Sequence, residues 1–178
     1  MKTAILGWGS LINKPGDMLL EGKWEPDGPV LKIEFSRISA DGRLTLVLDS
    51  QHGTDVKTMY ARSGRIQLED AVCDLMIREG TSRNKIGICS KENTANAPVD
   101  HPSIRQWLDR SNFDAVIWTN LESNFSNKRE VNFSVENAFR YLESLPPVCK
   151  ENARDYIRKA PEPTQTELRR YLYSKGWL

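Results

Sequence analysis

The sequence predicts an α+β fold. Two observations carry this: strand-type alternation dominates the first two-thirds of the chain, and helical spacing runs through the last third. Such segregation points to a largely antiparallel or barrel-like sheet and away from a doubly wound parallel one. A chain of 178 residues buries roughly 70% of its unfolded surface. It needs neither disulfides nor a structural metal to hold a core.

The elements follow in order. Residues 3–6 read as a short buried strand that stops at Gly7-Trp8-Gly9-Ser10. In "PVLKIEFSRISADGRLTLVLDS", Leu31, Ile33 and Phe35 alternate with polar neighbours, Asp41-Gly42 supplies a turn, and Leu44, Leu46 and Leu48 alternate on the return. Residues 56–63, 85–89 and 113–119 are further strands. "LEDAVCDLMIREG" places Leu68, Val72 and Leu75 at helical spacing and closes on Gly80, a residue suited to the position after a helix. "HPSIRQWLDR" puts Ile104, Trp107 and Leu108 on one helical face, with Asp100 as its cap. From Ser134, itself a cap, the pattern is helical to the end. "NARDYIRKA" follows Pro146-Pro147, and "TQTELRRYLYSKG" opens with a Thr164–Glu167 capping box. Residues 1–133 therefore form a strand-rich domain, and 134–178 a helical extension packed on it. The polar run "SKENTANAPVDH" reads as a long loop.

Composition narrows the function classes. A formal net charge of +1 argues against nucleic acid or an acidic membrane as partner. Cys73, Cys89 and Cys149 form no CxxC pair, and an odd, scattered set fits a reducing cytosol. Cys73 and Cys89 are expected as small core residues. No leader pattern and no run of 18 apolar residues is present, so a soluble cytoplasmic protein is expected. His52 and His101 sit in polar contexts without ligand spacing, so no metal site is expected.

Two places carry chemistry. Glycines tolerate backbone angles that aim successive N–H groups into one concavity, so Gly7-Trp8-Gly9-Ser10 followed by Leu11-Ile12 suits a carboxylate or an oxyanion. A plain tight turn is the competing reading. Ile12 stands where a dinucleotide fingerprint needs glycine, and the Gly-Lys-Ser/Thr of a phosphate loop is absent. The second place is Glu79. It lies eleven residues beyond Leu68, about three helical turns, and so continues the apolar stripe toward the core. The end of a helix disfavours its negative charge, which suits a carboxylate that shuttles a proton. The competing reading pairs it with Arg78 or Arg83, or leaves it in water.

Together, and in this order, "ILGWGSLI" and "AVCDLMIREGT" resemble the glycine–serine loop and the catalytic-glutamate helix of the γ-glutamylcyclotransferase-like superfamily, which includes the ChaC-type and AIG2-type proteins. The resemblance covers residues 3–90. It implies a small mixed β-barrel flanked by helices, with Gly7, Trp8, Gly9, Ser10, Leu11 and Ile12 binding a γ-glutamyl substrate and Glu79 as the catalytic residue. The implied reaction is intramolecular: the substrate's α-amine attacks its side-chain carbonyl, closes 5-oxoproline and releases an amine, without metal or cofactor. The family pattern has tyrosine where this chain has Trp8, so the phenolic hydroxyl is lost there. Beside this enzyme stand a catalytically silent small-ligand binder of the same fold and an interaction module acting through the helical tail.

Overall fold

The computed structural model describes residues 1–92 and 101–178. Most of the expected polar loop and the expected Asp100 cap fall on 93–100, outside the described residues. The fold is α+β, with two sheets and seven helices among the described residues. The chain forms two compact units, residues 1–31 with 57–121 and residues 32–56 with 122–178. The 32–56 hairpin thus belongs with the C-terminal helices.

In the first unit five strands run β1 (Thr3–Gly7), β2 (Leu20–Glu25), β6 (Met59–Ser63), β7 (Ile86–Ser90) and β8 (Ala115–Thr119). Their spatial order is β2-β6-β1-β8-β7. β1 is parallel to β8 and antiparallel to β6, and the β2–β6 and β7–β8 pairs are antiparallel. The sheet is mostly antiparallel, as alternation predicted, but it is open. No closed barrel forms among the described residues. β1 is buried along its whole length, because α2 (Leu68–Glu79) packs Ala71, Val72 and Leu75 with Ile5, Ile86 and Ile117 in one apolar cluster. α3 (Pro102–Arg110) buries Ile104 and Leu108 on the same sheet, with Pro102 in its first turn.

The second unit holds β3 (Val30–Ile38), β4 (Leu44–Leu48) and β5 (Thr54–Lys57) in the order β4-β3-β5. It also holds α4 (Phe125–Arg129), α5 (Val135–Glu143), α6 (Pro147–Arg158) and α7 (Glu167–Ser174). The run 56–63, expected as one strand, is two. Thr58 interrupts it because its N–H donates to Pro29 O at 3.1 Å and its carbonyl accepts from Gly28 N at 3.0 Å, which takes both groups out of a ladder. Ser134 caps α5 as expected, its hydroxyl accepting from Asn137 N at 3.1 Å. α7 is capped by Thr166, whose Oγ1 accepts from Arg169 N at 3.2 Å, and not by Thr164. The reason lies in Arg169. Its guanidinium is buried and donates to the carbonyls of Arg158, Ala160, Pro161 and Thr164, which fixes Thr164 outside the helix. Among the described residues no helix is long and apolar enough to cross a membrane.

Candidate functional site

The site is built where β1 ends beside the last turn of α2. β1 is extended and buried as far as Gly7, where the antiparallel register pairs Gly7 with Met59. A Cβ on Gly7 would lie 2.7 Å from Trp24 Cζ3 and 3.1 Å from Ile12 Cγ1, so the indole of β2 occupies the space of a missing side chain. Gly9 takes φ −144°, ψ −138°, outside the extended region. At Gly7 the requirement for glycine is one of space. Ser10 begins α1 (Ser10–Asn13), in which Ile12 N donates to Gly9 O at 3.2 Å and Lys14 N to Ser10 O at 2.9 Å. Gly7, Trp8, Gly9 and Leu11 are buried, while Ser10 and Ile12 are half-buried. The Ile12 N–H is thus used within α1.

α2 stops where its sequence says it should. Gly80 adopts φ 58°, ψ 40°, the left-handed conformation that glycine enters without a Cβ penalty. Its N–H donates to Ile77 O at 3.2 Å, and Thr81 N to Met76 O at 3.1 Å, closing the helix. Glu79 is the last helical residue. Its side chain is 16% exposed and that of Arg78 13%. Arg78 Nη1 donates to Glu79 Oε1. The same guanidinium reaches across to the loop: Nη2 donates to Ser10 Oγ at 3.1 Å and to Lys14 O at 2.9 Å, and Nε donates to Lys14 O at 3.0 Å. One planar fork therefore ties the loop to the carboxylate. A helix C-terminus disfavours an anion and favours a cation, and Arg78 beside Glu79 answers both effects. Of the two pairings open in the sequence, Arg78 is the one formed. Arg83 pairs with Glu69 at 2.9 Å instead.

Arg78 is one of the two partners the sequence offers Glu79, adjacent to it in the last turn. Lys14 and Trp24 are neighbours that no sequence pattern singles out, and "LEGKWE", which carries Trp24, lacks clear alternation.

Two clefts lie elsewhere. One, of about 480 Å³ in the first unit, has Leu68, Arg83, Ile86 and Ile88 in its walls. The other, of about 300 Å³ in the second unit, is lined by Asp49, His52, Glu122 and Ser126 among others. Asp49 is buried there, with Oδ1 accepting from Gln51 N and His52 N at 3.1 and 2.9 Å. The His52 ring lies against Phe133, 5.4 Å between centroids. Cys89 is buried as expected, and burial pushes its thiol up. Cys73 is exposed, a correction to its expected core position. One residue on from Val72 it is turned about 100° round the helix, off the apolar stripe.

No family model, no curated protein and no solved structure matches this chain.

Proposed function

We propose that this chain is a γ-glutamylcyclotransferase-like enzyme that releases 5-oxoproline from a γ-glutamyl amide, amine or peptide, with Glu79 as general acid and base. The observation that carries the reading is the Arg78 fork, which joins the half-buried Glu79 carboxylate to Ser10 of the glycine loop. A carboxylate at a helix end and an N–H-rich turn are weak features singly. Joined by one side chain, they bring an acid–base group and a candidate oxyanion cradle within the span of a small molecule.

The chemistry asks for little more. The substrate's α-ammonium gives a proton to Glu79, and the freed amine attacks the γ-carbonyl. Donors of the Gly7–Leu11 turn and the Ser10 hydroxyl stabilise the oxyanion. Collapse breaks the γ-carbon–nitrogen bond as Glu79 gives its proton to the departing amine, and the carboxylate so restored takes the second proton from the ring nitrogen to leave the neutral lactam. Holding a flexible chain folded supplies much of the acceleration, because the five-membered ring closes readily once positioned. Gly7, Trp8, Gly9, Ser10, Leu11 and Ile12 form the substrate wall, Trp8 giving an apolar face without a hydroxyl. The reading carries with it a cytoplasmic setting.

The second reading is a catalytically silent ligand-binding protein of the same architecture. It is favoured by the Arg78–Glu79 pair itself, since a carboxylate oxygen already engaged by a guanidinium is not free to take a substrate's proton. The test is 5-oxoproline release by purified protein from a panel of γ-glutamyl amines, amides and dipeptides. Turnover of at least one compound is expected. Saturable binding without turnover across the panel selects the silent reading.

A further inference from the structure

Asp49 carries more than the turn it caps requires. Its Oδ1 accepts from the N–H groups of Gln51 and His52 at 3.1 and 2.9 Å, and its carbonyl accepts from Gly53 N at 2.8 Å. Asparagine closes such a turn equally well and brings no charge. The carboxylate has two surplus features. One is a negative charge on a side chain only 4% exposed. The other is Oδ2, which is buried and accepts no hydrogen bond among the described residues. His52 Nδ1 stands 3.4 Å from Oδ1, too far for a good hydrogen bond and on the oxygen that the turn already uses. A buried charge without a full set of partners is costly, so a cation brought up to it is favoured.

Asp49 forms part of the wall of the cleft of about 300 Å³ in the second unit, a volume that suits a small ligand. Glu122 adds a second carboxylate to that wall, Gln51 and Asn127 add amides, and none of its described residues is a lysine or an arginine. The basic side chains of β3 and α4 are committed elsewhere. Lys32 Nζ pairs with Asp55 at 3.1 Å, Arg37 Nη1 donates to Glu122 O at 2.8 Å, and Lys128 Nζ donates to Ile38 O at 3.1 Å. Arg129 lies over the Tyr141 ring, 5.0 Å from its centroid. The wall is also firm. Gly53 packs against Asp49 O and the backbone of Lys32 and Ile33 too closely for a Cβ. Asn124 is locked to Ile38, its Oδ1 accepting from the N–H at 2.7 Å and its Nδ2 donating to the carbonyl at 3.1 Å. Among the described residues no three His, Cys, Asp or Glu side chains come together to hold a metal ion, so the cation that suits this wall is an organic one.

We infer that this cleft binds a small organic primary ammonium, with Asp49 as its counter-ion and the amide oxygens of Gln51 and Asn127 as acceptors for its N–H groups. The inference stands apart from the cyclotransferase reading, because every residue it uses lies in the second unit. The probe is n-propylammonium, with 1-propanol and propionate as neutral and anionic counterparts of similar size. Each is titrated into the full chain at constant ionic strength and followed by NMR. Wild type is expected to bind n-propylammonium about tenfold or more tighter than 1-propanol, the scale of one hydrogen bond to a charged group, with saturating shifts at the N–H groups of Gln51 and His52. Asp49→Asn keeps the acceptor of the turn and removes the charge. It should bring n-propylammonium to the level of 1-propanol without lowering the melting temperature. Asn127→Lys, at an exposed position of α4, sets a competing cation at the cleft and should also remove the preference; it serves as the test if Asp49→Asn does not fold. Equal binding of n-propylammonium and 1-propanol by wild type shows that water alone serves Asp49 and overturns the inference. A preference for propionate, saturating shifts confined to residues outside the cleft, or undiminished preference in folded Asp49→Asn or, failing that variant, in Asn127→Lys overturns it too.

Discussion

At Gly7 the chain leaves no room for a side chain, and the reason is Trp24. Gly7→Ala places a methyl 2.7 Å from the indole edge, so either the ring or the strand end must move. Overpacking of this kind costs about 1–3 kcal/mol. The expected result is a lower melting temperature together with perturbed Trp24 fluorescence. An unchanged melting curve would show that the indole is not seated there. The residue scale is also where the candidate site was most legible. Glu79 follows from a count of helical turns, and the glycine turn from its composition. What could not be read was the link between them. Nothing in a linear pattern says that the side chain before Glu79 turns to Ser10 and Lys14, because that contact depends on how the end of β1 lies against α2.

Helix ends were read well wherever a local rule governs them. Gly80 closes α2 and Ser134 opens α5 through backbone geometry and a cap within three residues. The opening of α7 was misplaced by two residues, since a distant demand won: Arg169 claims the Thr164 carbonyl, which leaves Thr166 to cap. Thr166→Ala should therefore cost about 1 kcal/mol, a fall in melting temperature of about 2–4 °C for a chain of this size. Full retention of stability would return the cap to Thr164. The same contest explains the run 56–63. Propensity alone favours a single strand, whereas Thr58 spends its N–H and carbonyl on Pro29 and Gly28. β2 escaped notice for the opposite reason, because its residues alternate poorly and its place in the sheet comes from pairing with β6.

On the scale of the molecule, two groups pull stability in opposite directions with pH. Glu34 is wholly buried in the second unit. Burial holds its carboxyl above the ordinary glutamate range, opposed only in part by hydrogen bonds from Thr166 and from the N–H groups of Phe35 and Leu168. The folded state thus keeps this proton when the unfolded chain has lost it. Stability is highest below the ordinary glutamate value, about pH 4, and declines as pH rises toward the folded value. Asp74 in the first unit is held below the ordinary aspartate range by the Arg65 guanidinium, so its contribution is lost as pH falls. Glu34→Gln should accordingly gain melting temperature relative to wild type on going from pH 4 to pH 7. A constant difference across that range would contradict the assignment. The central claim concerns Glu79, and one measurement tests it most directly: 5-oxoproline release by wild type and Glu79→Gln on the best γ-glutamyl substrate, with both melting temperatures in hand. Glutamine keeps the size and can still accept from Arg78 Nη1, but it can neither take nor return the proton. The account predicts a loss of about 10²–10⁴-fold in kcat at nearly unchanged stability. Equal turnover by the two proteins would contradict it.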